Sequence, residues 1–569
     1  MMLLALFTLA LQGGLAPAPV RVLAQQPVEV AADSLRDVRR AHSVQGAFER
    51  ARRLALPLGS GSGGRCDVQL GRFCWWYDER PVTPAKEPPS IARRRASLVA
   101  VLDSLGARRP GDEWIAGMRV FYRIEAGQAA EADSVARDCR AARWWCLALG
   151  GYAQHARGLA AGAESSFVAA LQEMSPEARC RWRDIAPLLP SSARKRYERA
   201  ACEDRVPLEE RYWMLSRPRL AVPGNEWRTE YSVRRILSRL AERATTPQAG
   251  PWGRDSDELL LRYGWPVAWS RLETPAGLNP EPSVIGHDPT PSFAFAPDEA
   301  LLDTAAAAGD DAWDLNGRRA ESRFAPRLMT RAATLSAQFA RFRRGDSVLV
   351  AAAYAARDDS LTAAALPSIG ATLRDGSTVS SPLPSGLVGR GLLRLAAPPI
   401  LVGVEIADSA TSTLARARSL YAAPAATNRL AMSDLLLYRA ADAPPTDLEA
   451  AMSVAIPGDT ASRARGIGVF WETYGVADTG ESLDVTVTVE RIDRSWVRGA
   501  RQRLGLASPD SPLRLRWNDA RPPAEGPASR AISLDLGNLE AGRYRITVAL
   551  SRDGLTEATA SREVRLQAR

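Results

Sequence analysis

The sequence predicts a multidomain α plus β protein, with helical hairpins first, then a small α+β block, then β-sandwich domains. Three observations carry this. Apolar residues fall at helical spacing from Pro89 to about Met174, aromatic and turn residues crowd between Tyr212 and Arg271, and beyond Pro297 apolar and polar residues alternate as in strands. A length of 569 residues, 46% hydrophobic and 24% charged, is ordinary globular material, long enough for several separate cores.

An apolar run from Leu3 to Leu11, broken by Gly13, Gly14 and Pro17, leads to Val22-Leu23-Ala24 ahead of Gln25. That is the pattern of a secretory signal peptide over residues 1–24, cut after Ala24. No Cys follows the cut, so a lipid anchor is not indicated, and no later apolar run approaches the roughly 20 residues of a membrane span. The expected location is therefore periplasmic or secreted. The formal charge of +9 invites a nucleic-acid reading, but the basic residues are nearly all Arg, scattered among Ala, Glu and Asp, with no Lys/Arg run longer than Arg93-Arg94-Arg95. A solvated basic surface, without nucleic acid as a partner, is the reading this supports.

Residues 25–88 hold a helical candidate, Asp33 to Leu56, and the loop Gly59-Ser60-Gly61-Ser62-Gly63-Gly64. The loop lacks the Lys-Ser/Thr of a phosphate cradle and leads into Cys66 and Cys74-Trp75-Trp76-Tyr77, so it reads as a linker beside a stapled turn. Cys66, Cys74, Cys139, Cys146, Cys180 and Cys202 are even in number and all precede residue 203. In an exported chain this means disulfides. Six cysteines permit many connectivities, and spacing favours Cys66 with Cys74, Cys139 with Cys146 and Cys180 with Cys202. With no Cys-x-x-Cys and only three His, no zinc site is indicated. Nothing in the sequence calls for a metal or a cofactor.

Across residues 89–200, Gly127 and Ala132 recur as Gly158 and Ala163, displaced by 31 residues, close to a helix-turn-helix repeat. The second unit resembles a tetratricopeptide repeat, with Gly151, Gly158, Ala163, Phe167 and Ala170 at the helix crossings. Small residues there let two helices approach while Phe167 fills the gap. The resemblance implies stacked hairpins offering a surface to peptides or proteins; plain helical packing is the alternative.

Residues 201–297 carry Tyr212-Trp213, Pro223-Gly224-Asn225-Glu226, Trp252-Gly253-Arg254-Asp255 and Leu260-Leu261-Arg262-Tyr263-Gly264-Trp265-Pro266. This block resembles the GWxTD domain family of exported bacterial proteins, departing from it at Pro251, where the family has Gly, and Arg254, where it has Thr. The family brings no established activity. Pro223-Gly224-Asn225 is a turn into a helix from Glu226 to about Arg243. Glu226, Glu230 and Arg234 share a face of it, as an i,i+4 ion ladder rather than a catalytic carboxylate pair. Leu259, Leu261 and Tyr263 alternate as a strand would, and Trp252 and Trp265 read as rings closing the edge of a core. Candidate site residues are Glu226, Glu230, Asp255 and His287, the last beside Asp288 in a loop; His42 and His155 have less company. Nucleophile elbows, His-Glu-x-x-His and phosphate loops are missing from the sequence.

Residues 298–424 read as a helix or linker, Asp298 to Ala325, followed by a first β-sandwich with a turn at Asp375-Gly376. Residues 425–569 read as a second, immunoglobulin-like sandwich of about seven strands. The strand pattern predicts that both fold without the helical part. The function expected is an exported, non-catalytic protein-binding or scaffold protein of the bacterial cell envelope, its partner another protein or an envelope component. The alternative is a hydrolase sited in the GWxTD-like block, which a cavity gathering Glu226, Glu230, Asp255 and His287 would favour.

Overall fold

The computed structural model describes residues 26–59, 66–75, 86–272, 283–288, 290–291, 293–303, 306–316, 321–422, 430–440, 443–462, 465–474, 483–493, 512–519, 527–552 and 555–567. The signal-peptide segment, residues 60–64 of the glycine loop and Trp76-Tyr77 lie outside them. Helix α1 spans Gln26–Ala55, starting earlier than the sequence pattern suggests. Strands β1 (Val68–Leu70) and β2 (Phe73–Trp75) form an antiparallel hairpin stapled by Cys66–Cys74. Helices α2 (Pro89–Arg108), α3 (Glu113–Glu125), α4 (Ala129–Arg137), α5 (Arg143–Ala156) and α6 (Ala160–Glu173) stack in sequence. Among the described residues, no helix is long and apolar enough to cross a membrane.

The 31-residue repeat is a structural one. Gly127 and Gly158 both turn the chain with φ near +77° and +78°, a backbone region that favours glycine. In the helix after each turn, Ala132 and Ala163 are fully buried. A Cβ on Gly151 would meet the Phe167 ring at 2.8 Å, so α5 and α6 approach through that glycine. The disulfides Cys139–Cys146 and Cys180–Cys202 tie α4 to α5 and α7 (Pro176–Arg183) to α9 (Cys202–Leu215), around α8 (Ser191–Arg199).

Helix α10 (Glu226–Ala241) is capped by Asn225, whose Oδ1 accepts from the Arg228 amide at 3.2 Å while its Nδ2 donates to the Trp213 carbonyl at 2.8 Å. It buries residues around most of its circumference, from Trp227 to Ala241. These pack against α3, α5 and α6, so the chain's own helix occupies the face that stacked hairpins would offer a partner. Helix α11 (Arg254–Tyr263) corrects the strand expected around Leu259–Tyr263. A run of three Leu satisfies either period, and helical signals decide. Asp255 and Asp257 sit in the first turn, Glu258 pairs with Arg262 at 2.7 Å, and Gly264 at φ +86° ends the helix. Strand pairing in this block follows Pro266, with β3 (Ala268–Arg271) against β4 (Val284–His287).

A polar layer lies inside the helical core. Gln45 donates to the Tyr122 hydroxyl at 2.9 Å and to the Thr245 carbonyl at 2.8 Å, and Tyr122 donates to Glu49 at 2.8 Å. Arg52 spends its charge mainly on Glu125, at 2.7 Å against 3.5 Å to Glu49. Burial therefore pushes the Glu49 carboxyl up to about 7 despite Arg52. A folded-state value above the unfolded 4.5 means that the neutral acid favours the fold. That contribution is whole below about pH 4.5 and is lost as pH rises through 7, at about 1.4 kcal/mol per unit, or about 3 kcal/mol in all. Glu49→Gln, which stays neutral, is expected to flatten the decline in urea-unfolding stability between about pH 5 and pH 8. Equal slopes for the two proteins would refute this.

In the segment expected as a helix or linker, Asp298 to Ala325, the helical elements among the described residues are α12 (Ala300–Asp303) and a 3-10 turn at Asp310–Ala312, beside isolated bridges such as Ala308 with Leu420. Two sandwiches follow. In the first, a three-stranded sheet, β10 (Val388–Leu395), β7 (Ser347–Ala356), β6 (Leu335–Arg344), faces a five-stranded one, β5 (Arg331–Ala333), β12 (Thr413–Leu420), β11 (Pro399–Asp408), β8 (Leu366–Leu373), β9 (Thr378–Pro382). Val350, Ala352 and Tyr354 meet Ile369, Val402 and Val404 between them. Asp375-Gly376 turns β8 into β9.

In the second, β13 (Ala431–Met432), β16 (Ile467–Tyr474), β14 (Leu436–Tyr438) and β19 (Ala528–Leu534) face β15 (Thr460–Ser462), β21 (Leu555–Gln567), β20 (Gly542–Arg552), β17 (Leu483–Arg491) and β18 (Leu513–Asp519). Helix α13 (Leu448–Val454) lies beside β14. Trp471, Val487, Ile546 and Val548 fill this core. The sandwiches also pack on each other, because Ala340, Ala351 and Ala353 of the first receive Leu436, Tyr438 and Phe470 of the second. Four sheets thus form one stack.

The outer face of the five-stranded sheet of the first sandwich is covered too. Leu401 and Leu420 pack with Leu215, Leu220 and Trp313, and Leu414 with Phe295 and Phe324. Buried Glu405 accepts the amides of Leu220 at 2.6 Å and Ala221 at 3.2 Å, while Arg418 donates to the carbonyls of Leu215 at 3.3 Å and Pro218 at 3.0 Å. The first sandwich is thus joined to the helical part through a buried interface, which the fragment expected to fold alone would leave uncovered. Produced alone, residues 327–569 are expected to expose this face, to bind the apolar-surface dye ANS and to self-associate. A monomeric fragment that leaves the dye dark would show the contact to be dispensable.

Candidate functional site

A cavity of about 350 Å³ opens where the α5–α6 turn, the first half of α10, the end of α11 and residues 323–327 converge. Its apolar lining includes Val233, Leu237, Trp265 and Phe324, its charged and imidazole groups are His155, Glu226, Glu230, Arg234, Asp288, Arg323 and Arg327, and Tyr263 and Thr290 add hydroxyls. Helical spacing brings Glu226 and Glu230 to the cavity on successive turns of α10. The Gly158 turn leaves His155 at the end of α5, facing them.

Most of these groups are already committed. Arg234 is buried, and its Nε donates to Glu230 at 2.7 Å. Its Nη1 donates to the carbonyls of Leu261 at 3.1 Å and Arg262 at 2.8 Å, which end α11 without helical partners, and its Nη2 to the Arg323 carbonyl at 2.8 Å. The guanidinium lies 4.9 Å over the Trp227 ring. His155 meets Glu230 at 3.1 Å through Nε2 and the Thr229 hydroxyl at 2.9 Å through Nδ1, so both ring nitrogens are occupied. Burial alone would raise the Glu230 carboxyl, but Arg234 and then His155 outweigh it and hold it at about 2. Arg323 donates to the Asp288 carbonyl at 2.7 Å, and Arg327 to that of Ala156 at 2.9 Å.

Glu226 differs. Its half-buried carboxylate forms no hydrogen bond or ion pair among the described residues. Burial raises its pKa, opposed by the more distant charges of Arg219, His155 and Arg327. It is thus the uncommitted acid of the cavity, set above an apolar floor.

Of the four candidates read from the sequence, Glu226 and Glu230 come together here, and Asp255 and His287 do not. Asp255 accepts from the Ser256 amide at 2.8 Å at the start of α11 and pairs with Arg72 at 3.2 Å, which fastens the disulfide hairpin. His287 sits on β4, 2.7 Å from the Ser270 hydroxyl. The expected ladder exists between Glu230 and Arg234, with Glu226 outside it. His155, set aside in the sequence, is the histidine that reaches the site; it lies 74 residues from Thr229, and no local spacing announces the contact. His42 instead stacks on Trp114 at 3.8 Å. Among the described residues no three metal-ligating side chains gather.

No family model matches the chain, and no curated protein matches it. Among solved structures, the crystal structure of red sea bream transglutaminase aligns over 41% of this chain at 11% identity, with a TM-score of 0.12. The alignment spans 31% of that enzyme's length, and so slight a likeness bears on neither fold nor function.

Removing Arg234 would strand Glu230 and free the carbonyls at the end of α11. Arg234→Met is expected to cost about 3–5 kcal/mol, as for other broken buried pairs, read from urea unfolding near neutral pH. A loss under about 1 kcal/mol, the range of an exposed pair, would show the network to be peripheral.

Proposed function

We propose that this is an exported, non-catalytic protein-binding or scaffold protein of the bacterial cell envelope, built around a GWxTD-type block, and that the cavity at Glu226 receives a cationic side chain of its partner. The observation that carries this is the uncommitted Glu226 carboxylate above an apolar floor. An alkyl stem fits the floor, and an ammonium or guanidinium satisfies the acid. The other charged groups lining the cavity already serve structural partners, and its lining side chains include no Ser, Cys or Lys among the described residues. Because α10 fills the helical array, the array holds the site in shape rather than taking a partner along its length.

One observation favours the hydrolase reading. A carboxyl raised by burial and standing near a His–Glu pair is the kind of group that serves as a general acid. The test compares acetylated peptides bearing a central Lys or its uncharged isostere norleucine, titrated into wild-type protein and Glu226→Gln. Lys binding should be weakened by about ten- to a hundredfold in the variant, the range of one charge-assisted hydrogen bond, with norleucine binding weak throughout. Equal binding of both peptides would refute the proposal. Turnover of ester or peptide substrates that Glu226→Gln abolishes without unfolding would establish the hydrolase instead.

A further inference from the structure

Arginines that lie scattered in the sequence gather on one side of the fold, the outer face of α1 and α2. On α1, Arg36, Arg39, Arg40, Arg50 and Leu54 are exposed, while Ala41, Gln45, Phe48 and Arg52 are buried. At about 3.6 residues per turn these two sets fall on opposite sides of the helix. Helix α2 lies antiparallel alongside. At its end Arg108 and Arg109 meet Asp37 of α1 at 3.0 and 3.2 Å, and near its start Arg95 shares Glu125 with Arg52 of α1, at 2.9 and 2.7 Å. Exposed Arg93 and Arg94, on the first turns of α2, are thereby brought to the end of the pair that carries Arg50. Arg39 and Arg40 continue the row toward Arg108, about 16 Å along α1 from Arg50.

The guanidiniums of Arg39, Arg40, Arg50, Arg93 and Arg94 form no hydrogen bond or ion pair among the described residues. Nearby acids are already spent. Glu49 is buried, Asp33 is paired with Arg36, Asp37 holds Arg108 and Arg109, Asp103 holds Arg119 and Arg123, and Glu87, just before α2, holds Arg95. The face therefore carries a positive charge that the protein does not neutralise. Leucines stand at both ends of the row, Leu35 at 60% and Leu54 at 67% exposure, with Leu58 exposed just beyond the helix.

We infer that the outer face of α1 and α2 docks peripherally on an anionic phospholipid surface. Helices lying flat on such a surface pair their guanidiniums with lipid phosphates and sink exposed apolar side chains into the boundary between headgroups and acyl chains. A soluble polyanion would use the charges and leave the leucines in water. Docking of this kind needs no membrane-spanning helix, and none of the residues on this face lines the cavity at Glu226, so it stands whatever that cavity receives.

The test sediments the full chain with vesicles of phosphatidylcholine, alone or with about 30 mol% phosphatidylglycerol, at about 50 mM and about 300 mM NaCl. The protein should pellet with the anionic vesicles at the lower salt and stay in solution otherwise. An arginine near such a surface contributes about fivefold in affinity. Arg39→Gln, Arg40→Gln, Arg50→Gln, Arg93→Gln and Arg94→Gln combined should therefore weaken binding about a hundredfold or more, with an unchanged melting curve because none of the five has a partner to lose. If that variant fails to fold, the pairs Arg39/Arg40 and Arg93/Arg94, changed separately, decide, each with an expected loss of about tenfold or more. Leu54→Ser should also weaken vesicle binding. Changing Arg357, Arg374, Arg394, Arg514 and Arg516, exposed on the sandwiches, to Gln should leave it nearly unaltered. No sedimentation with anionic vesicles, an equal loss in the sandwich variant, binding indifferent to the arginines of α1 and α2, or retention by heparin without binding to vesicles would overturn the proposal.

Discussion

The Arg234 guanidinium organises the centre of this protein. From one buried position it joins α10 to the end of α11, to the backbone at Arg323 and, through Glu230, to His155 on α5. A charge so enclosed is tolerated only when its donors are met, and here a carboxylate and three carbonyls meet them. Those carbonyls include the ones that a helix ending at Gly264 leaves unpaired, so the cation and the helix terminus solve each other's problem. The shape of the cavity at Glu226 follows, because its walls are the elements Arg234 holds together.

A second buried charge system performs the same task at the other side of the block. Glu405 and Arg418 lie on the face of a β-sheet that would ordinarily meet water, and they hold the main chain of residues 215–221 by its amides and carbonyls. Charges and backbone groups are thereby satisfied at once, with Leu220 packed among them. Alanines on β6 and β7 let the next sheet approach on the opposite side. The outcome is one continuous stack in which the sheets of the first sandwich are buried on both faces.

The same economy explains why the polar residues Asn225, Asp255 and Arg262 between positions 201 and 297 are structural. Asn225 caps α10, Asp255 starts α11 and fastens the disulfide hairpin, and Arg262 pairs along its own helix. Glu226, in the cavity it lines, is the carboxylate of the block left without a hydrogen bond or ion pair among the described residues.

Local chemistry was legible in the sequence. Gly127 and Gly158 mark turns because their backbone angles favour glycine, Gly151 with Phe167 marks a helix crossing because only a missing Cβ leaves room, and the three disulfides join neighbouring cysteines because short loops keep them near. Strand alternation located the two sandwiches beyond Pro297 for the same local reason. It failed at Leu259–Tyr263, where three consecutive Leu fit either period and a helix won through its caps and its Glu258–Arg262 pair. The meeting of His155 with Glu230, the grip of Glu405 and Arg418 on residues 215–221, and the wrapping of α10 by the hairpins were decided by tertiary structure alone. Those contacts join residues tens to hundreds of positions apart, and burial, which makes a charge seek its partner, exists only once the chain has folded around it.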